Sequence, residues 1–290
     1  MSAPVPVFIG GAARSGTTLV ADMLGFHPAL SPVYETDFVL DLGGLIFGGQ
    51  GPALEELGAA VMSYMDQWTR PLPLRPHNKR DYEQYHHGPH YILFDRTFGL
   101  QRTAELIDGL SQGRAVDSFR EFVQALFQEH CRLDGKPRWV NKTPRYVLIL
   151  PTLRHVFPNL RFIHCVRDGR DAACSALTRG WGLDGFKQAA AWWVNSVRAG
   201  IEFGRQFPDQ YIEVRYEDLL CQSAASIERM LTWVGETGDA ADIVTKYQQG
   251  KVRIDPSRIG VWRRTLTSED QKVFQDTAGD MLAHFGYPQS

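Results

Sequence analysis

The stretch Val7-Phe8-Ile9-Gly10-Gly11-Ala12-Ala13-Arg14-Ser15-Gly16-Thr17-Thr18-Leu19 decides the fold. An apolar run from Val5 to Gly10 predicts a buried strand. The paired glycines turn the chain, and Thr17 to Phe26 then puts Leu19, Val20, Met23 and Leu24 on one helical face. Strand, glycine turn and helix together open an α/β unit. Such a turn aims consecutive backbone N–H groups at one point, and the helix N-terminus adds partial positive charge, so the loop is an anion site. Its spacing is that of the nucleotide-binding pattern G-x-x-x-x-G-K-[ST], with Thr17 where the lysine belongs. Without that lysine a nucleoside triphosphate loses its main charge partner. Arg14 supplies a cation from the other side of the loop, and the alternative of a plain glycine turn with a solvated Arg14 stays open.

Outward from this unit, further strands are predicted at Arg138 to Asn141, Arg161 to Val166 and Tyr211 to Val214. Helices are predicted at Phe186 to Phe207, Ser226 to Val234 and Ser268 to Phe285, the last opening on Ser268-x-x-Gln271. Ser118-Phe119-Arg120-Glu121 has capping-box spacing and predicts a helix start at Ser118. Glycine, proline, tyrosine and histidine punctuate 43–53 and 70–103, which predicts loops or a lid on the core. The expectation is one α/β domain over 1–290, a P-loop-type central parallel sheet flanked by helices, with a substrate-lid insert at about 43–103.

Composition narrows the function. Hydrophobic residues make up 43% and net charge is -2, which excludes a chain disordered throughout. The 31 Lys+Arg against 33 Asp+Glu leave no basic excess for coating nucleic acid, so any anion is bound at one local site. Cys131, Cys165, Cys174 and Cys221 form no C-x-x-C pair, which predicts free thiols without zinc or a disulfide framework. The opening MSAPVPVFIGGAARSG has neither a basic n-region nor a long apolar segment, and no membrane-length apolar run occurs. A cytoplasmic enzyme is the expectation.

The loop from Phe8 to Leu19, continuing through His27-Pro28 to Tyr34-Glu35-Thr36, resembles the 5′-phosphosulfate loop of sulfotransferases, most closely the tyrosylprotein sulfotransferase branch and its bacterial relatives. These enzymes take a sulfuryl group from 3′-phosphoadenosine 5′-phosphosulfate (PAPS) and release 3′-phosphoadenosine 5′-phosphate (PAP). The resemblance implies that Gly11, Arg14, Ser15, Gly16, Thr17 and Thr18 bind the donor. A second strand-turn-helix segment, Arg161 to Ser175, resembles the family's 3′-phosphate signature and implies that Arg167 and Ser175 grip that phosphate. Its alternative is a structural Arg167–Asp168 surface turn. Arg suits the task because its fork holds two phosphate oxygens. Ser257-Arg258-Ile259-Gly260-Val261-Trp262-Arg263-Arg264 resembles the C-terminal cofactor loop, so Arg258 and Arg263 are expected at the 3′-phosphate, with the inward arginine among the three left open. Tyr216 matches a position near the adenosine. The likeness runs from about Val7 to Trp262 and is weak between residues 40 and 135.

Sulfuryl transfer requires an acceptor oxygen in line with the leaving phosphate, a base for its proton and cations for the sulfonate oxygens. Aligned on the phosphate loop, Glu35 matches the catalytic glutamate of the tyrosylprotein branch, and Lys142 matches the lysine that contacts the transferring group. Arg14 and Ser257 complete the implied catalytic set, and no metal is implied. His86, His87 and His90 in the insert are the rival base, since cytosolic relatives use a histidine; His27 reads as a turn residue. The acceptor is expected to be a hydroxylated small molecule or peptide, with oligomeric state open. A basic and aromatic insert (Arg70, Arg75, Lys79, Arg80, Tyr82, Tyr85, Tyr91 and Phe94) suits an acidic, phenolic or otherwise amphiphilic one, and the alternative of a solvated loop with a hydrophobic anchor stays open. A P-loop small-molecule kinase and a non-catalytic nucleotide-binding protein are the alternatives; Thr17 argues against the first, Glu35 and Lys142 against the second.

Overall fold

In the computed structural model, residues 5–48, 53–68, 95–178, 183–250 and 254–289 are described. Among the described residues five strands carry the fold: β1 (Val7–Gly11), β2 (Leu30–Tyr34), β3 (Arg138–Lys142), β4 (Arg161–Val166) and β5 (Tyr211–Arg215). They form one sheet in the order β2-β3-β1-β4-β5, the parallel α/β sheet that the opening segment predicts. Strands buried on both faces must be apolar throughout, and β1 is buried at every position.

The chain packs as two compact units, one of residues 1–6, 27–141 and 151–160, the other of residues 7–26, 142–150 and 161–290. In the first, α2 (Asp37–Phe47), α3 (Leu54–Trp68), α4 (Arg96–Ser111), α5 (Ala115–Asp134) and α6 (Leu150–Val156) accompany β2 and most of β3. Its core is aromatic. Phe38 meets Phe122 and Phe127 edge-on at 6.5 and 6.4 Å, and Phe127 meets Trp139 at 5.1 Å.

In the second unit, β1 pairs with β4 (Ile9 opposite Ile163), and β4 with β5 (Ile163 opposite Ile212). Around these strands lie α1 (Thr17–Gly25), α7 (Gly169–Leu177), α8 (Gly185–Gln206), α9 (Tyr216–Cys221), α10 (Ser223–Val234), α11 (Ala240–Gln249), α12 (Trp262–Thr265) and α13 (Ser268–His284). Ala172, Ala173, Trp193, Val197, Phe274 and Leu282 belong to one buried cluster that joins α7, α8 and α13. Among the described residues no helix is long and apolar enough to cross a membrane.

Several boundaries move. Residues 43–47 continue α2 and residues 96–103 open α4, so the two loop segments predicted at 43–53 and 70–103 are partly helical. Asp95 explains the second: its carboxylate accepts the Thr97 and Phe98 amides and caps α4 inside the region read as loop. Helix α5 begins at Ala115, a turn before Ser118. Ser118 is buried within the helix and lies so close to Gly109 that a methyl group there would overlap its hydroxyl. A packing serine therefore imitated a cap. The last helix is capped by Thr267 with Asp270, where Ser268 and Gln271 were expected. His86, His87, His90 and the basic and aromatic side chains from Arg70 to Phe94 lie outside the described residues.

All four thiols are free, and burial pushes those of Cys131 and Cys174 up to about 12 and about 11. His164 on β4 is fully buried, its Nδ1 hydrogen-bonded to the Tyr211 hydroxyl at 2.7 Å, and desolvation lowers its pKa to about 3. Only the side-chain-free Gly200 of α8 leaves room for that ring. An unfolded histidine titrates near about 6.5, so between that pH and about 3 the unfolded chain binds a proton that the folded chain excludes. The contribution of His164 to stability must fall as pH drops through this window. Denaturant unfolding of wild type should accordingly lose stability more steeply below about pH 6.5 than that of His164→Gln. Parallel pH slopes would contradict the buried neutral imidazole.

Candidate functional site

Residues 12–16 connect β1 to α1 in the second unit, and two of them take backbone conformations that side chains rarely allow. Arg14 has φ 70 and Gly16, the N-cap of α1, has φ 88. No side chain caps α1, in keeping with a helix start whose N–H groups face a ligand. A Cβ at Gly16 would stand 2.5 Å from the Tyr216 ring, and one at Gly11 would overlap the Cys165 carbonyl, so glycine is required at both places. Ser15 is buried and its hydroxyl has no hydrogen-bond partner.

The two phosphate-type segments meet here. Arg14 Nε donates to Ser175 Oγ at 2.9 Å across 161 positions of sequence. Arg167 follows β4, its guanidinium 4.4 Å from the centre of the Tyr216 ring. Arg167 Nη1 donates to the Arg14 carbonyl (3.1 Å) and Nη2 to the Arg258 carbonyl (2.8 Å). The phosphate loop, the 3′-phosphate signature and the C-terminal loop are therefore joined at one guanidinium. Arg167 Nε is buried without a partner. Burial raises the pKa of Tyr216, opposed by the Arg167, Arg258 and Arg14 charges, so its phenol stays protonated.

Lys142 ends β3 and is buried, and the next residue donates its amide to Ile9 O at 3.1 Å, which fixes this strand end to β1. Ser257 is committed locally: its hydroxyl donates to Asp255 Oδ1 at 2.6 Å and its amide to the same oxygen at 3.0 Å. Arg258 is mostly exposed beside Asp255, whereas Arg263 stacks on Trp262 at 4.7 Å. The R-D-G-R segment is no surface turn. Asp168 holds Arg170 through both oxygens at 3.0 and 2.8 Å, and that pair is buried, with Arg170 3.7 Å over the Trp262 ring. Glu217 accepts the Asp168 amide (3.0 Å) and the Tyr287 hydroxyl (3.1 Å).

Glu35 belongs to the first unit, between β2 and α2, and has φ 49, a conformation unusual for a residue with a side chain. Asn141 holds the turn: its Nδ2 donates to the Val33 carbonyl (3.1 Å) and to Thr36 Oγ1 (2.8 Å), on either side of Glu35. Strain kept at a carboxylate by a buried amide marks a position fixed at a cost. His27 accepts the Ala29 amide at Nδ1 (3.1 Å), as a turn residue does. Asn141, Asp168, Arg170 and Asp171 escaped the sequence reading. The signal available was charge at 167, 168, 170 and 171, opposite signs at i,i+4 spacing on a helix start.

A family model described as the sulfotransferase family matches residues 6–239. Protein-tyrosine sulfotransferase A of Caenorhabditis elegans is 22% identical over 97% of this chain and 67% of its own length. The nodulation protein NoeE of Sinorhizobium fredii is 25% identical over 99% of this chain and 67% of its own length. Among solved structures, the sulfotransferase domain from the Synechococcus olefin synthase has a TM-score of 0.58 at 22% identity, covering 100% of this chain and 98% of that one. The sulfotransferase domain from the curacin biosynthetic pathway reaches 0.60 at 19% identity, with 100% of both chains covered. At these identities the solved structures speak to the fold.

The phosphate-loop geometry makes one stability prediction. Gly16→Ala should cost about 1–3 kcal/mol in denaturant unfolding, because it combines a left-handed backbone with a clash against Tyr216. A loss well below that range would contradict the packing of this loop.

Proposed function

The chain belongs to the sulfotransferase family, and we propose that it moves a sulfuryl group from PAPS to a hydroxyl group, with Glu35 as the general base. The observation that carries the donor is the junction at Arg167, which unites three cationic loop segments in one unit. The residues fit an anionic nucleotide. Gly16 and the uncapped start of α1 offer backbone N–H groups, Ser15 has a buried hydroxyl without a partner, and the Tyr216 ring stands against Gly16 beside them. Arg167 Nε and the exposed Arg258 are available for the 3′-phosphate, with Arg263 nearby in the same loop. Arg14 and Ser175, bonded to one another, would meet the phosphate oxygens together.

The donor supplies an activated sulfur–oxygen bond. In the transfer, the acceptor oxygen forms a new bond to sulfur while the bond to the 5′-phosphate oxygen breaks, and that oxygen keeps the electron pair as PAP departs. Glu35 takes the acceptor's proton. Its fixed turn, held by Asn141, serves this role by limiting the carboxylate's search for the hydroxyl. Lys142, buried at the end of β3, neutralises charge that grows on the leaving oxygen, and Arg14 contributes hydrogen bonds to the sulfonate oxygens, joined by Ser257 only when its hydroxyl turns away from Asp255. A phenolic, alcoholic or tyrosyl hydroxyl satisfies this chemistry. A cytoplasmic setting and a single functional domain over 1–290 complete the reading.

Two outcomes test it. PAP should raise the melting temperature more than ATP at equal concentration, as preferential binding to the folded state requires, and equal shifts would refute the donor. Glu35→Gln should lower the transfer rate by about a hundredfold or more while PAP affinity is kept. A variant that remains active would move the base to the insert, where His86, His87 and His90 stand in sequence.

A further inference from the structure

Asp171 has no place in the transfer chemistry, yet both oxygens of its carboxylate are engaged by the backbone of one loop. It lies in the first turn of α7 with a side chain that is 0% exposed. A buried carboxylate costs several kcal/mol unless its oxygens are satisfied. Here both are: Oδ2 accepts the Gly260 amide at 2.7 Å and Oδ1 accepts the Trp262 amide at 2.9 Å. Arg167 Nη2 is 3.8 Å away, and the same nitrogen donates to the Arg258 carbonyl. The loop between Arg258 and Trp262 is thus gripped at three backbone points by two neighbouring side chains, one anionic and one cationic.

The rest of the loop is arranged around that grip. Gly260 has φ 72, and a Cβ there would overlap Arg263 Nη1, so its bare backbone gives the Arg263 side chain room. The Trp262 ring lies between Arg170 and Arg263 at 3.7 and 4.7 Å. Arg170 is itself fastened by Asp168. Carboxylate–amide bonds of this kind are charge-assisted and are roughly twice as strong as neutral ones. Asparagine cannot replace them: it offers one acceptor, and its own NH2 would face a second N–H donor.

We propose that Asp171 is a positioning residue, which fastens the Gly260 and Trp262 amides so that the loop carrying Arg258 and Arg263 is set in place for the 3′-phosphate of the nucleotide before it arrives. The proposal rests on the PAPS reading given above. Asp171 acts on the nucleotide through the loop and through Arg167, while the phosphate loop keeps its own glycine geometry. Its loss therefore falls on recognition of the 3′-phosphate and leaves binding of the 5′ end nearly intact.

The experiment compares PAP with adenosine 5′-phosphate, which lacks only the 3′-phosphate, on wild type and on Asp171→Asn, by equilibrium titration. Asp171→Asn should weaken PAP by about tenfold or more, the scale of one lost charge-assisted hydrogen bond, and adenosine 5′-phosphate by less than about threefold. A general structural loss would weaken both nucleotides alike, and that result, or an unchanged preference for PAP, overturns the proposal. A wild type indifferent to the 3′-phosphate overturns the PAPS reading and the proposal with it, so the two failures are distinguishable. Should Asp171→Asn not fold, hydrogen exchange on wild type decides: the Gly260 and Trp262 amides should be protected in the absence of nucleotide. Exchange at the rate of an open loop overturns the preset arrangement.

Discussion

Everything at this site depends on how one guanidinium leaves β4. Arg167 stands at the carboxyl end of that strand, where parallel α/β sheets present their ligands. It donates to the backbone of the phosphate loop at Arg14 and of the C-terminal loop at Arg258, and its flat face covers Tyr216. Trp193 Nε1 donates to the Arg167 carbonyl at 3.1 Å, which anchors the base of the turn to α8. Arginine is the side chain able to do this, because its donors point in fixed and diverging directions while the charge remains at any ordinary pH. A lysine would reach one carbonyl and leave the other loop unheld. Buried cations are costly, and this one is offset by Asp171 at 3.8 Å and by carbonyl oxygens.

The same principle governs the neighbouring charges. Arg170 is matched by Asp168 and covered by Trp262, and Glu217, its pKa raised by burial, receives an amide and a phenol. A nearly balanced chain, with net charge -2, can therefore hold a strongly cationic site, because acidic partners are spent inside the site's own supports. The acids orient the arginines, and Arg258 stays half out in water beside Asp255.

Much of this was legible in the sequence because backbone geometry leaves a strong imprint. Gly11 and Gly16 are needed for their φ values and their contacts, so the glycine turn could be read directly. Strand β4 was bounded correctly because its apolar run is short and sharply ended. What escaped has a physical reason in each case. Ser118 looks like a cap since capping and packing both favour a small hydroxyl. Residues 96–103 read as loop because their helix is started by Asp95 at the edge of a stretch rich in proline and glycine. Asp171 and Asn141 were missed since much of their bonding is to backbone groups, Gly260 and Trp262 for one, Val33 for the other, and backbone partners write nothing into side-chain patterns.

The account's central claim is that the Arg167 junction serves a nucleotide bearing a 3′-phosphate. Its most direct test offers wild type two donors that carry the same sulfuryl group, PAPS and adenosine 5′-phosphosulfate, with a mixture of phenols, alcohols and tyrosyl peptides. The account predicts a sulfated acceptor formed together with PAP from the first donor and little or none from the second. Equal transfer from both donors would contradict it.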